Sequence, residues 1–185
     1  MRAVILEVDE RMLAERQRLG LDRFDEMWEG VLHMVPPPKG RHQLLETQLI
    51  RHLNAPAEAA GCLVAPEIGV FGAANDYRVP DIAVFPESAL AERGVDGPPL
   101  VVIEVRSPND ESYEKVPWYL ARGAGSVVVI DQDTFAFEVF TSDGTVEPGA
   151  DGLTPIPGLD ARFGGAPDAC ALLLETAEGT HQLAG

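Results

Sequence analysis

Hydrophobic and polar positions predict a strand–helix–strand unit near the middle of the chain. Residues 77–85 alternate in polarity well enough to favour a strand. Residues 100–105 form an apolar run, interrupted by Glu104, that is typical of a buried strand. Residues 126–131 form a second apolar run. Residues 112–122 lie between the two runs and have a helical pattern that ends at Gly123. The two apolar strands are therefore expected to be parallel neighbours joined by a helix.

Two helices are expected to flank this sheet. Residues 42–53 give the clearest helix because leucines recur every four residues and make an apolar stripe: Leu45, Leu49 and Leu53. In the helix at residues 112–122, one face is expected to carry Tyr113, Val116 and Leu120, with Trp118 and Tyr119 off it. The long loop at residues 86–99 has room for a short helix around residues 89–93.

The C-terminal third adds a hairpin and little chemistry. Residues 134–141 alternate in polarity and are followed by Ser142-Asp143-Gly144, a good hairpin turn signal. The whole pattern predicts an α/β fold, in which a mixed β-sheet is flanked by helices and an extra β-hairpin lies on the C-terminal side. The length of 185 residues predicts a single domain over residues 1–185, with a core at about 28–131 and a C-terminal extension at 132–185.

Charge and composition narrow the possible functions. The chain has 14 basic and 30 acidic residues and a formal net charge of −16, which counts against tight binding to a long duplex but not against hydrolysis. Cys62 and Cys170 are far apart in sequence and form no CxxC motif, so both are expected to be free and structural. No signal peptide and no membrane-length apolar run is found, which favours a cytoplasmic protein.

Two acidic residues on the expected neighbouring strands suggest a metal site. Asp81 lies in the first strand and Glu104 in the second. Because carboxylates are rarely buried without a cation or a partner, two that converge from adjacent strands favour Mg²⁺, which is held by one or two carboxylates plus water and phosphate. The ordinary alternative is that each acid lies at a sheet edge or in an ion pair. The functional interpretation is metal-assisted phosphodiester hydrolysis.

These residues carry a resemblance to known nucleases. Pro80-Asp81 followed by Glu104-Val105-Arg106 resembles the PD-(D/E)XK nuclease superfamily. The chain from about residue 28 to residue 131 is similar to the Uma-type restriction endonuclease family of bacteria, in motifs that appear in the same order: Glu29-Gly30-Val31-Leu32-His33-Met34-Val35-Pro36-Pro37, His42-Gln43, Glu104-Val105-Arg106-Ser107-Pro108, Glu114-Lys115, Tyr119 and Gly123. The resemblance implies a restriction-endonuclease-like fold with the site at one edge of the sheet.

The resemblance also implies roles for individual residues. The superfamily has Lys two residues after the acid, where this chain has Arg106. Residues i and i+2 of a strand share a face, so Arg106 is expected to point with Glu104 towards the site. Arg cannot act as a base but can clamp a phosphate, and its ordinary alternative is an ion pair. Lys115 matches the helix lysine that takes over in the Uma-type family and would position the attacking water or stabilise the phosphate. Its ordinary alternative is a solvated helix lysine. Glu46 is the candidate for a helix glutamate that reaches the metal through water, although helix dipoles favour such acids anyway. His42 matches the family histidine and would contact phosphate or orient water, unless it only caps the helix.

The expected function is therefore a Mg²⁺- or Mn²⁺-dependent endonuclease of the PD-(D/E)XK type that acts on nucleic acid, with DNA the first choice. Asp81 and Glu104 would bind the metal together with the Val105 carbonyl, and the product would carry a 5′-phosphate. Superfamily resemblance also implies a homodimer. The alternative from another class is a nuclease-fold binding or dimerisation module without turnover, which the charge of −16 and Arg106 favour.

Overall fold

The computed structural model describes residues 3–108, 110–165 and 171–183. The helices are α1 (Glu10–Arg18), α2 (Gly40–Ala59) and α3 (Ser112–Ala121), and a short 3₁₀ helix spans Glu87–Ala89. The strands in chain order are β1 (Ala3–Ile5), β2 (Glu26–Trp28), β3 (Val31–Met34), β4 (Cys62–Pro66), β5 (Val70–Ala73), β6 (Asp76–Arg78), β7 (Ile82–Pro86), β8 (Leu90–Ala91), β9 (Gly94–Val95), β10 (Val101–Arg106), β11 (Ser126–Asp131), β12 (Phe137–Thr141), β13 (Gly144–Thr145), β14 (Thr154–Pro155), β15 (Ala161–Gly165), β16 (Leu172–Thr176) and β17 (Gly179–Leu183).

The central sheet has six strands in the order β13-β12-β11-β10-β7-β4. Strands β10 and β11 are parallel and are joined by α3, as the two apolar runs predict, while β7 runs antiparallel to β10 on its other side. The β12–β13 hairpin forms one edge of this sheet, and its turn falls where the Ser142-Asp143-Gly144 signal predicts. The sheet is thus mixed and flanked by helices, as expected from the sequence.

A second, seven-stranded sheet in the order β1-β3-β2-β6-β5-β9-β8 explains one wrong prediction. Residues 77–85 are not one strand: β6 ends at Arg78 in this outer sheet, and β7 begins at Ile82 in the central sheet. Pro80 lacks an N–H group and restricts the residue before it, so the ladder cannot continue through this point. Asp81 therefore stands at the corner where the chain passes from one sheet to the other.

Two layers of side chains cover the central sheet. On one face, the leucine stripe of α2 and the four-stranded sheet β14-β15-β16-β17 enclose the larger apolar cluster, which includes Leu49, Ile103 and Phe163. On the other face, α3 and part of the outer sheet enclose a smaller cluster that includes Val102 and Tyr119. Cys62 is free and buried in the larger cluster, whereas Cys170 lies outside the described residues.

Two local predictions differ from the structure. The loop at residues 86–99 has its short helix at Glu87–Ala89 and continues as the small β8–β9 hairpin, so the helix expected around residues 89–93 is wrong. In α3, Tyr119 is fully buried together with Val116 while Tyr113 is exposed, so the buried face is not the one that Tyr113, Val116 and Leu120 were expected to share. No helix in the described ranges combines the length and the apolar character that crossing a lipid bilayer requires.

Candidate active site

A cleft of about 490 Å³ opens where the outer sheet, the central sheet and the N-terminal ends of α2 and α3 meet. One wall is apolar and rich in proline, with residues 36–38 and Pro80 among its members. The charged groups that line the cleft are mostly acidic: Glu26, Glu67, Asp81, Glu104, Asp110 and Glu111, against Lys39, His42 and Lys115. The cleft therefore collects chemistry-bearing side chains from distant parts of the sequence.

Asp81 lies at the corner between the two sheets, and its carboxylate contacts two groups. Its Oδ1 lies 2.9 Å from Nε2 of His42, which comes from the first turn of α2. Its Oδ2 accepts a hydrogen bond of 2.6 Å from the backbone N–H of Val105 in β10. In a β-strand the N–H and the C=O of one residue point to the same side, so the Val105 carbonyl also faces the Asp81 side of β10.

Glu104 lies one residue earlier on β10 and is almost completely buried on the α3 side of the sheet. The Lys115 ammonium lies 2.9 Å from Glu104 Oε2 and 3.1 Å from Oε1, and the Tyr119 hydroxyl donates to Oε1 at 2.9 Å. Lys115 and Tyr119 are four residues apart on α3 and so share one helix face. Lys115 is thus turned inward to the acid rather than out to solvent.

Glu26 of β2 completes this network from the outer sheet. Its Oε1 lies 2.9 Å from Lys115 Nζ and accepts a hydrogen bond from the Val79 N–H, while its Oε2 accepts from the Trp28 indole. Sequence reasoning missed Glu26 as well as the contact between Tyr119 and Glu104. The i, i+4 spacing of Lys115 and Tyr119 could have found the second. Glu26 is one of four acids between residues 22 and 29, so the sequence gives no signal that singles it out.

The charged groups of this network shift one another's pKa values. Burial disfavours the Lys115 ammonium, but the carboxylates of Glu104, Glu26 and Asp81 outweigh it and raise the pKa of Lys115. Burial raises the pKa of Glu104 against the opposing effect of Lys115, and the charges of Asp81 and Glu26 raise it further. Lys115 therefore stays protonated and acts as a fixed cation, not as a base.

His42 and Glu46 lie four residues apart on α2 and form the other side of the site. Burial lowers the pKa of His42, but its hydrogen bond to Asp81 and the surrounding acidic charges raise it overall. Glu46 is 5% exposed, and its Oε1 has no hydrogen-bond partner. Burial, together with the charges of Asp81 and Glu67, raises the pKa of Glu46 to about 7.

Arg106 lies apart from this group. Its guanidinium is 2.9 Å from Asp131 Oδ2 at the end of β11 and lies over the Tyr113 ring, and about a third of the side chain is exposed. The expectation that it points with Glu104 into the site is therefore not met by its contacts, which match the ion-pair alternative. The shared register of β10 and β11 explains this, because Arg106 is paired directly with Asp131.

The donor set fits the chemistry of a divalent cation only in part. In the described part of the chain, no three His, Cys, Asp or Glu side chains are grouped at metal-ligating distances. Glu104 is occupied by Lys115, and Asp81 by His42 and the Val105 N–H. The chemistry of the donors nevertheless fits Mg²⁺, because carboxylate and carbonyl oxygens are its ligands and Glu46 leaves one buried oxygen without a partner. A cation here would exchange with the present partners of Asp81 and Glu104.

Comparison with known proteins identifies the fold and the family of this chain. No curated protein matches the chain. The fold is similar to the crystal structure of a protein from Anabaena variabilis ATCC 29413, described as a "putative nuclease belonging to DUF820", with a TM-score of 0.60 and 25% sequence identity over 72% of this chain and 81% of that one. The fold is thus restriction-endonuclease-like. The Uma2 family model, described as "Putative restriction endonuclease", matches residues 16–162. This chain therefore belongs to the Uma2 family, a nuclease family.

Proposed function

We propose that this protein is a Mg²⁺- or Mn²⁺-dependent endonuclease that hydrolyses phosphodiester bonds in nucleic acid by PD-(D/E)XK-type chemistry. The observation that carries the proposal is the convergence of Asp81, Glu104 and the inward-turned Lys115 ammonium at one cleft. Membership of the nuclease family supports the reaction class, and the acidic oxygen donors support the metal.

In this proposal, Asp81 and Glu104 hold the metal together with the Val105 carbonyl. When bound, the metal would polarise a phosphoryl oxygen and lower the pKa of the attacking water. His42 fixes the orientation of Asp81 through its 2.9 Å contact, as outer residues do for metal-binding carboxylates. Glu46, with a pKa of about 7, can orient water and exchange a proton near neutral pH.

Lys115 provides the fixed positive charge. Since its pKa is raised, its ammonium can donate hydrogen bonds to a phosphoryl oxygen and stabilise the charge that develops there. The proposed step gives Arg106 no part, because its guanidinium is paired with Asp131. The metal and Lys115 would then supply most of the positive charge that a chain of net charge −16 lacks elsewhere.

One observation favours the rival function of a binding or dimerisation module without turnover. Both Asp81 and Glu104 already have protein partners, and the charged groups that line the cleft are mostly acidic. A homodimer is part of the main proposal as well, because cutting two strands needs two sites. The mass of the protein in solution, measured by light scattering, tests the dimer for either function.

The deciding experiment is cleavage of supercoiled plasmid and of single-stranded DNA with Mg²⁺ or Mn²⁺, with and without a chelator. Wild-type protein is expected to cleave only with metal, and Asp81→Asn is expected to lose cleavage. Asp143→Asn, the same change at an exposed turn residue, is the matched control and should cleave as wild type does. Metal-independent cleavage, or cleavage that survives in Asp81→Asn, would contradict the proposal. No cleavage despite metal binding would favour the rival module.

A further inference from the structure

We propose that Glu26 is a positioning residue that holds the Lys115 ammonium in place independently of Glu104. The inference rests on the proposed function, because it concerns how the proposed cation Lys115 stays in the site. It assigns a role to a residue in the outer sheet, outside the strand pair and helices that supply Asp81, Glu104, His42 and Lys115.

The contacts of Lys115 are the first step of the argument. Its Nζ lies 2.9 Å from Glu26 Oε1 and 2.9 Å from Glu104 Oε2, so one ammonium is shared by two carboxylates. Glu26 is 1% exposed and Glu104 is 2% exposed. Charge-assisted hydrogen bonds of this length between buried groups are among the stronger ones in proteins.

The second step is a conflict over Glu104. If Glu104 binds a metal, its oxygens are no longer fully available to Lys115, and a cation beside the ammonium repels it. With Glu104 as its sole partner, Lys115 would either block the metal or leave the site. Glu26 removes this conflict because it keeps an anionic partner within hydrogen-bond distance of Lys115 while Glu104 changes partners.

The third step is the place of Glu26 itself. Its two oxygens also accept hydrogen bonds from the Val79 N–H at 3.0 Å and from the Trp28 indole at 2.7 Å, so its carboxylate is fixed in orientation. Val79 lies two residues before Asp81. Glu26 therefore ties the ammonium of α3 to the corner segment that carries the proposed metal ligand, across the boundary between the two sheets.

Lysine chemistry gives a test that needs neither metal nor DNA. Lys39 and Lys115 are the two lysines of the chain, and Lys39 is exposed, so it serves as an internal reference. The rate of Nζ acylation of each lysine by an amine-reactive ester is measured by mass spectrometry. Wild-type Lys115 should react much more slowly than Lys39. In Glu26→Gln, the ratio of the Lys115 rate to the Lys39 rate should rise about tenfold or more, the effect of one lost charge-assisted hydrogen bond.

Two further variants make the result specific. Glu114→Gln removes an exposed acid next to Lys115 in sequence and should leave the ratio unchanged. Glu104→Gln should keep Lys115 protected, because Glu26 still holds it; this variant also tests the inference if Glu26→Gln fails to fold. An unchanged ratio in folded Glu26→Gln, or a Lys115 released in folded Glu104→Gln, would overturn the proposal.

Calorimetry with Mn²⁺ separates anchoring from a merely structural role. Glu26→Gln is expected to weaken Mn²⁺ binding by about 10- to 100-fold, as changes to groups behind metal ligands do, since Lys115 is then left with Glu104 as its one anionic partner and competes with the ion for it. In a Lys115→Met background the same substitution should cost much less. An equal loss in both backgrounds would contradict anchoring. A wild-type protein that binds no Mn²⁺ would refute the proposed function, and the acylation ratios would still decide the role of Glu26.

Discussion

The two sides of the site differ in how well their polar groups are satisfied. On the α3 side, Glu104 receives hydrogen bonds from Lys115 and Tyr119, and Glu26 holds the same ammonium. On the α2 side, Glu46 has a buried oxygen without a partner, beside Asp81. The buried carboxylates of the α3 side therefore have hydrogen-bond partners. The α2 side keeps one buried carboxylate oxygen that has none.

This difference predicts opposite effects of substitutions on the two sides. A buried carboxylate that is paired and hydrogen-bonded contributes to the fold, while one without a partner costs stability. On the α3 side, a substitution is therefore expected to remove existing hydrogen bonds and to lower the free energy of unfolding. On the α2 side, a substitution that removes the buried charge of Glu46, or a bound metal that neutralises it, is expected to raise the free energy of unfolding. Four substitutions test this contrast through the free energy of unfolding, measured without metal.

The largest effect is expected at Lys115. Lys115→Met removes the ammonium between Glu26 and Glu104 and leaves two buried carboxylates without their cation. The free energy of unfolding at pH 7 should fall by about 3 to 5 kcal/mol, the usual cost of breaking a buried ion pair. Urea denaturation measures it, with Lys39→Met as the exposed control. A loss below about 1 kcal/mol would mean that the pair is solvated like a surface pair.

Substitution of Glu46 is expected to raise the free energy of unfolding rather than lower it. Its pKa is about 7 in the fold and 4.5 as the reference, so between these values the folded state binds more protons and stability falls as pH rises. Glu46→Gln removes this loss, and should be more stable than wild type by about 1 to 3 kcal/mol at pH 8. The difference between the two proteins should shrink at pH 5. Urea curves at both pH values measure it, and a destabilised variant at pH 8 would contradict the contrast.

A smaller loss is expected at Tyr119, because its hydroxyl makes one hydrogen bond to Glu104 while Lys115 remains. Tyr119→Phe keeps the buried ring and should lower the free energy of unfolding by about 1.5 to 3 kcal/mol, as for a hydrogen bond to a charged group. Tyr113→Phe is a control for hydroxyl removal at an exposed tyrosine of the same helix. Equal effects of the two changes would show that burial of the Glu104 contact does not matter.

The smallest effect is expected at Arg106, which lies outside both sides of the site. Arg106→Ala breaks a partly exposed pair with Asp131 and should change stability by at most about 1 kcal/mol. Plasmid cleavage should also stay within about threefold of wild type, since a lost phosphate clamp would instead cost the 1.5 to 3 kcal/mol of a charged hydrogen bond. A much larger loss of cleavage would show that Arg106 takes part in the reaction.

The sequence predicted the parts of the fold whose signal is local. The apolar runs of β10 and β11 and the leucine stripe of α2 are set by burial, which leaves a periodic trace in the chain. The corner at Pro80 escaped notice, because the residues on its two sides were interpreted as one continuous strand even though the two halves belong to different sheets. The pattern of apolar residues shows that a strand is buried, but not which sheet it joins.

The site was predictable only as far as its residues share a strand, a helix or a family motif. Asp81 and Glu104 stood out as acids near apolar runs, and the family resemblance indicated Lys115. Glu26 could not be found in this way, because its partner Lys115 is far along the chain and the contact depends on how the outer sheet packs against α3. Such a contact is a property of tertiary structure and leaves no short-range pattern.

The central claim is that Asp81 and Glu104 form a divalent-metal site, and calorimetry with Mg²⁺ and Mn²⁺ tests it most directly. Wild-type protein is expected to bind one of these ions, and Asp81→Asn is expected to lose that binding while remaining folded by circular dichroism. Wild-type protein that binds neither ion at millimolar concentration, or Asp81→Asn that binds as wild type does, would contradict the claim.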